Sequence, residues 1–318
     1  MKSINFYTGV SEIKKIVIII SVVLLLAGLF FIGSYLKKQY TLQQIQEAPQ
    51  QEETTNENEE TNEKKTEKEK EKENKEDSFK DYLNDKAEKF MNRFFTKKMN
   101  VVAIGDSLTE GIGDEENNGY VGILDNSINH DKDLLEFENF GKKGNRTDQL
   151  LHRLENEEDI EDSIDDADII LITIGANDIM QVFKNNITDL TLDKFSDETI
   201  AYEERLNDIF DTIEEYNKKA DVYLIGFYNP FTSHFDDIEE LDTIVNEWND
   251  IGKETIEERS HGHYIPVKDI FDDTEDDYMS DDNFHPNHEG YQLMAERVLE
   301  HITNDEEAVA NQDEKESS

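Results

Sequence analysis

Four short stretches hold residue types that could do chemistry together. The first is Gly105-Asp106-Ser107-Leu108-Thr109. A serine hydroxyl is a poor nucleophile until a base takes its proton and fixed donors receive the charge that develops on the attacked oxygen. The other three stretches supply those partners. Residues 140–147, FGKKGNRT, contain Gly141 and Gly144, either of which lets a backbone N–H approach a ligand closely. Ile174-Gly175-Ala176-Asn177-Asp178 offers a side-chain amide at Asn177. Asp282-Asn283-Phe284-His285-Pro286-Asn287 sets a carboxylate three residues before an imidazole. A neutral imidazole accepts a proton near pH 7, and a carboxylate can fix its tautomer. The set amounts to a nucleophile, a base, an orienting carboxylate and oxyanion donors, which is what acyl transfer requires. On its own stretch, Ser107 reads equally well as a turn residue capping the segment that follows.

The elements around these stretches alternate. Apolar runs predict strands at 101–104, 134–140, 168–174, 222–227 and 264–267. Helical spacing predicts helices near 120–128, from Arg146, over 197–218, over 236–259 and over 288–302. In the fourth of these, Ile238, Leu241, Ile244, Val245 and Trp248 share a face. Such alternation implies a parallel sheet covered on both sides. Three of the four stretches follow a predicted strand, at the sheet edge where open α/β folds bind ligands. The fourth immediately precedes the closing helix.

Taken in order, from about Met99 to Ile302, the four stretches resemble the SGNH/GDSL hydrolase family of esterases and acylhydrolases. The matching residues are GDSLTEG at 105–111, the glycine loop, GAND at 175–178 and DNFHPNHEGY at 282–291. The resemblance implies a flavodoxin-like three-layer α/β/α sandwich with a parallel sheet. It implies Ser107 as nucleophile, His285 as base and Asp282 as the carboxylate that orients it. It further implies an oxyanion hole of the Ser107 N–H, the Gly144 N–H and the Asn177 amide. Gly141 competes with Gly144, but spacing to the following helix favours Gly144. Asp281 competes with Asp282, but the three-residue spacing to His285 favours Asp282. Asn283 stands where many members carry glycine. No G-x-S-x-G elbow is present, which disfavours the α/β-hydrolase fold. The implied activity is that of a serine esterase or lipase-like acylhydrolase, acting on a small-molecule or lipid ester without a cofactor. Two alternatives stand beside it: a carbohydrate O-acetyl esterase acting on cell-wall glycans, and a cell-surface binding protein that keeps the fold without catalysis.

Composition narrows the partners. The chain has 318 residues and no cysteine, with 32 Lys+Arg against 76 Asp+Glu, a net charge of −44. Phosphate affinity comes from Lys and Arg, so nucleic-acid binding is not expected. His261-Gly262-His263 lacks a nearby third ligand, and the acidic run 272–282 lacks the D-x-[DN]-x-[DN]-G calcium pattern, so no metal site is expected. Asp106 and Asp178 read as hydrogen-bond anchors for their loops.

Five segments are expected. Residues 1–15 form a short amino-terminal segment. Residues 16–36 are uncharged and long enough to cross a bilayer as a helix. Residues 37–78 form a charged, low-complexity, disordered linker with too few apolar residues to build a core. The hydrolase domain covers 79–303 and opens on a lead-in helix to about Lys97, and 304–318 is a disordered acidic tail. This arrangement places the protein in the cell membrane as a single-pass protein, with the amino terminus inside and the catalytic domain outside. The alternative is secretion after cleavage of a signal peptide.

Overall fold

The computed structural model describes Tyr82, Lys86 and residues 98–114, 118–129, 135–186, 191–231, 239–272 and 278–316. The 16–36 span and the 37–78 linker lie outside the described residues, as does the lead-in helix apart from Tyr82 and Lys86, both of which are helical. Among the described residues no helix is long and apolar enough to cross a membrane.

In chain order the elements are β1 (Met99–Gly105), α1 (Ser107–Glu110), α2 (Gly119–Ile128), β2 (Leu135–Gly141), α3 (Thr147–Asn156), α4 (Glu158–Asp165) and β3 (Ile169–Thr173). They continue with α5 (Ala176–Asn186), α6 (Leu192–Tyr216), β4 (Asp221–Ile225), α7 (Glu239–Glu257), β5 (Gly262–Ile265), α8 (Lys268–Phe271) and α9 (His288–Glu316). The five strands form one sheet in the order β2-β1-β3-β4-β5, every pair parallel. That is the flavodoxin-like doubly wound order.

The strand sequences explain the layers. Side chains alternate across a sheet, and in β1 both faces are apolar. Val102 and Ile104 join one core, with Leu150, Leu154, Ile172, Leu206, Leu224 and Trp248. Val101 and Ala103 join the other, with Tyr120, Leu124, Leu171, Ile265, Met294 and Val298. Helices α3 to α7 therefore cover one face, and α2 and α9 the other. Truncating one such core leucine to alanine typically costs about 2–5 kcal/mol.

The predicted strands and long helices are present with ends shifted by a few residues, and four shorter elements were not foreseen. Helix α4 is an acidic segment that commits only Ile160 and Ile164 to the core, both 0 % exposed. Two apolar residues four apart are too few to stand out as a period. Helix α5 begins inside the GAND stretch, α1 is one turn and α8 is four residues long. The closing helix, expected to stop at Ile302, runs to Glu316 instead. Its continuation, NDEEAVANQDEKE, is largely made of residues with good helix propensity.

Candidate active site

The strand order reverses at β1, between β2 and β3, and the crevice at such a switch point lies beyond the strands' carboxyl ends. Three of the four stretches meet there because β1, β2 and β3 are in register: Gly105 pairs with Gly141 on one side and with Thr173 on the other. Gly105 adopts φ +139, and a Cβ there would lie 2.1 Å from the Thr173 carbonyl oxygen. Only glycine allows the chain to turn this close to its neighbour.

Asp106 then caps α1, accepting the Leu108 N–H at 2.9 Å and the Thr173 hydroxyl at 2.9 Å. Ser107 is thus the first residue of a single helical turn rather than its cap. The Thr173 hydroxyl also meets that of Thr109 at 2.7 Å, and Thr109 meets the Tyr120 hydroxyl at 3.0 Å. Burial pushes the Asp106 carboxyl up to about 7, although these hydrogen bonds favour its charged form.

The Ser107 hydroxyl lies 2.8 Å from His285 Nε2, and His285 Nδ1 lies 2.6 Å from Asp282 Oδ2. His285 is 5 % exposed and Ser107 3 %. The other carboxylate oxygen of Asp282 accepts from the Ser280 hydroxyl and from the Phe284 and His285 N–H groups, each at 2.9 Å. Desolvation works to raise the Asp282 carboxyl, but its hydrogen bonds from His285, Phe284 and Ser280 outweigh that and hold it well below the usual carboxylate range. Asp281 makes no hydrogen bond among the described residues. Asn283 adopts φ +51, the left-handed conformation that asparagine tolerates better than most residues. That conformation explains why glycine also suits the position.

The histidine loop is held from two sides. The buried Tyr228 hydroxyl donates to the Phe284 carbonyl at 2.6 Å, and Tyr228 packs against the Phe271 ring. The loop after α1 is tied to α9, with the Tyr291 hydroxyl donating to the Ile112 carbonyl at 2.8 Å and His288 Nδ1 lying 3.1 Å from Asp114. Ser107 and His285 therefore belong to segments that are bonded to each other.

The candidate oxyanion donors lie around the same turn. Among the described residues neither the Ser107 N–H nor the Gly144 N–H meets an acceptor. Gly144 adopts φ +79 and has open space where a Cβ would stand. Gly141 is the end of β2, and a Cβ there would lie 2.1 Å from the Glu110 nitrogen. Its role is to let β2 pass α1. The Asn177 amide gives one hydrogen to the Asn145 carbonyl at 3.0 Å and retains a second. Asp178 pins the adjoining helices, accepting from the Thr147 hydroxyl at 2.6 Å and from Arg205 at 3.3 Å. Burial pushes the Asp178 carboxyl up, against the Thr147 and Arg205 interactions that lower it.

His261 and His263 are not brought to this site. Both turn toward Asp221, at 3.0 and 3.6 Å. Several positioning residues had no signal in the sequence: Thr173, Tyr228 and Arg205 act through contacts to residues far away along the chain, and Arg153 through contacts eight and thirteen positions back. Asn145 and Thr147 sat inside a stretch singled out for its glycines, but spacing alone gave them no role.

The family described as "GDSL-like Lipase/Acylhydrolase family" matches residues 103–293. The chain is 36% identical over 206 residues to "Uncharacterized protein YpmR" of Bacillus subtilis (strain 168), covering 64% of this chain and 80% of that one. It is 28% identical over 205 residues to "Spore germination lipase LipC" of Bacillus licheniformis, covering 62% and 92%. Among solved structures, the lipase Lip_vut3 from a goat rumen metagenome superposes with a TM-score of 0.55 at 26% identity, covering 63% of this chain and 96% of that one.

Proposed function

Because the chain belongs to the GDSL-like lipase/acylhydrolase family, we propose that it is a serine esterase in which Ser107, His285 and Asp282 form the catalytic triad. The observation that carries this reading is the 2.8 Å contact between the Ser107 hydroxyl and His285 Nε2, with Asp282 at 2.6 Å behind the ring. Ser107 Oγ attacks the acyl carbonyl carbon and its proton passes to His285 Nε2. Asp282 accepts the Nδ1–H and stabilises the imidazolium. The new oxyanion is received by the Ser107 and Gly144 N–H groups and the Asn177 amide. His285 then gives its proton to the departing alcohol oxygen, leaving an acyl-serine. Water repeats the sequence and releases the acid.

The substrate class we favour is a lipid or simple acyl ester, in keeping with the family's description. Its test is a series of p-nitrophenyl esters from acetyl to long acyl chains. The expected result is turnover with a maximum beyond acetyl. Turnover confined to acetyl esters would move the reading to a carbohydrate O-acetyl esterase, and none at all would favour a binding protein.

We also place the domain outside the cell, held by a membrane helix at 16–36 through the 37–78 linker. This part rests on sequence alone: the uncharged apolar run and the polar segment behind it. The full chain should stay with membranes after alkaline carbonate washing, and added protease should cut the domain from intact cells. A soluble extracellular product beginning near Tyr35 would contradict the anchor.

A further inference from the structure

We infer that Arg153 is a positioning residue of the oxyanion hole, a role that rests on the esterase reading above. Arg153 lies on α3 and is 8 % exposed. Its Nη1 donates to the Phe140 carbonyl at 3.0 Å and to the Asn145 side-chain oxygen at 3.1 Å. Those two residues stand at either end of the loop that carries Gly144. One guanidinium therefore holds the entry and the exit of the loop at a single nitrogen. Asn145 carries the effect one step further, because its carbonyl accepts the Asn177 amide at 3.0 Å. Arg153 thus positions the backbone N–H of Gly144 by holding the loop on both sides of it, and the Asn177 amide through Asn145.

The remaining contacts of Arg153 suit a fixed clamp. Its Nε meets both carboxylate oxygens of Glu157, one helical turn on, at 3.2 Å each. Glu157 stays half exposed while the guanidinium is buried. Charge-assisted hydrogen bonds are stronger and more directional than neutral ones. On the far side of the loop, the Lys143 N–H donates to the Glu110 carboxylate on α1, the turn that carries Ser107. The loop is gripped between the nucleophile's own helix and Arg153. A lysine at 153 has no planar fork with which to reproduce the arrangement.

The test is kinetic. Arg153→Met keeps much of the apolar stem and removes the donors. It should lower kcat for a p-nitrophenyl ester by roughly tenfold to a hundredfold, the scale of a misplaced reacting group, and leave KM within about threefold. Binding of an alkyl boronic acid, which forms a tetrahedral adduct on serine, should weaken in parallel with kcat. In an Asn177→Ala background the same substitution should cost less, because the part of its effect that passes through the Asn177 amide is already lost. Asn145→Ala, which removes the side-chain acceptor and keeps the carbonyl, should reproduce part of the loss. It serves as the test if Arg153→Met fails to fold. A folded Arg153→Met or Asn145→Ala variant with unchanged kcat, or losses that multiply fully with Asn177→Ala, would overturn the inference while leaving the esterase reading intact. A wild-type protein that hydrolyses no ester would overturn both.

Discussion

Ser107→Ala is expected to lower kcat for ester hydrolysis by on the order of 10⁴–10⁶, as removal of a triad nucleophile does elsewhere. Its KM should change little and its fold should persist. Among the described residues the hydroxyl makes one hydrogen bond, to His285, worth about 1 kcal/mol net. The turn itself does not depend on it. Asp106 supplies the cap of α1, and Gly105 allows the close approach to Thr173. If Ser107 were only a turn residue, the variant would keep its turnover. A folded Ser107→Ala protein with wild-type kcat would remove Ser107 from the mechanism, whatever else its position suggested. The measurement is steady-state hydrolysis of a p-nitrophenyl ester alongside a thermal melt.

Asp282→Asn is expected to lower kcat by roughly 10³–10⁴, while Asp281→Asn stays near the wild type. The asparagine can still accept the hydrogen bonds that Asp282 Oδ1 receives from Ser280, Phe284 and His285. The loss lies at the other atom. An amide placed opposite His285 Nδ1 donates instead of accepting, which puts the ring proton on Nε2 and aims it at the serine hydroxyl. In that tautomer the imidazole cannot take the Ser107 proton. The same substitution carries a stability signature. The Asp282 carboxyl is depressed in the folded protein, from an ordinary value of 3.8. A depressed carboxyl contributes stability that is present above its unfolded pKa and is lost as pH falls through its folded one. The wild type should therefore exceed Asp282→Asn in stability at neutral pH, with the gap narrowing below about pH 4. Equal kcat losses for Asp281→Asn and Asp282→Asn would contradict the assignment made from the 2.6 Å contact.

What could be read before the structure follows from where information sits in a sequence. Strands β1, β3 and β4 are buried on both faces, so each is an unbroken apolar run that stands out from an acidic chain. Helix α7 was legible because Leu241, Ile244, Val245 and Trp248 repeat at helical spacing and are all 3 % exposed or less. The four chemistry-bearing stretches were legible because each packs its chemistry into fewer than ten residues. The contacts between them were not. Arg153 reaches Asn145 across eight positions, Thr173 reaches Asp106 across 67 and Tyr228 reaches Phe284 across 56. Such single hydrogen bonds leave no periodic trace. Helix α4 was missed for a related reason, since only Ile160 and Ile164 betray it. The choice of Gly144 over Gly141 rested on spacing, and the local geometry now supplies a physical ground. Gly141 is crowded by Glu110, whereas Gly144 opens onto free space and its N–H meets no acceptor among the described residues.

The central claim is that Ser107 is the atom acylated during turnover, and it can be tested by mapping a covalent adduct. An alkyl fluorophosphonate reacts with an activated serine: the Oγ–P bond forms, fluoride leaves, and the hydroxyl proton passes to the base. Peptide mapping by mass spectrometry after labelling should find one adduct, on the peptide containing Ser107. Loss of esterase activity should follow the labelled fraction one for one. Full inhibition with the label on another residue, or continued hydrolysis by protein fully labelled at Ser107, would contradict the account.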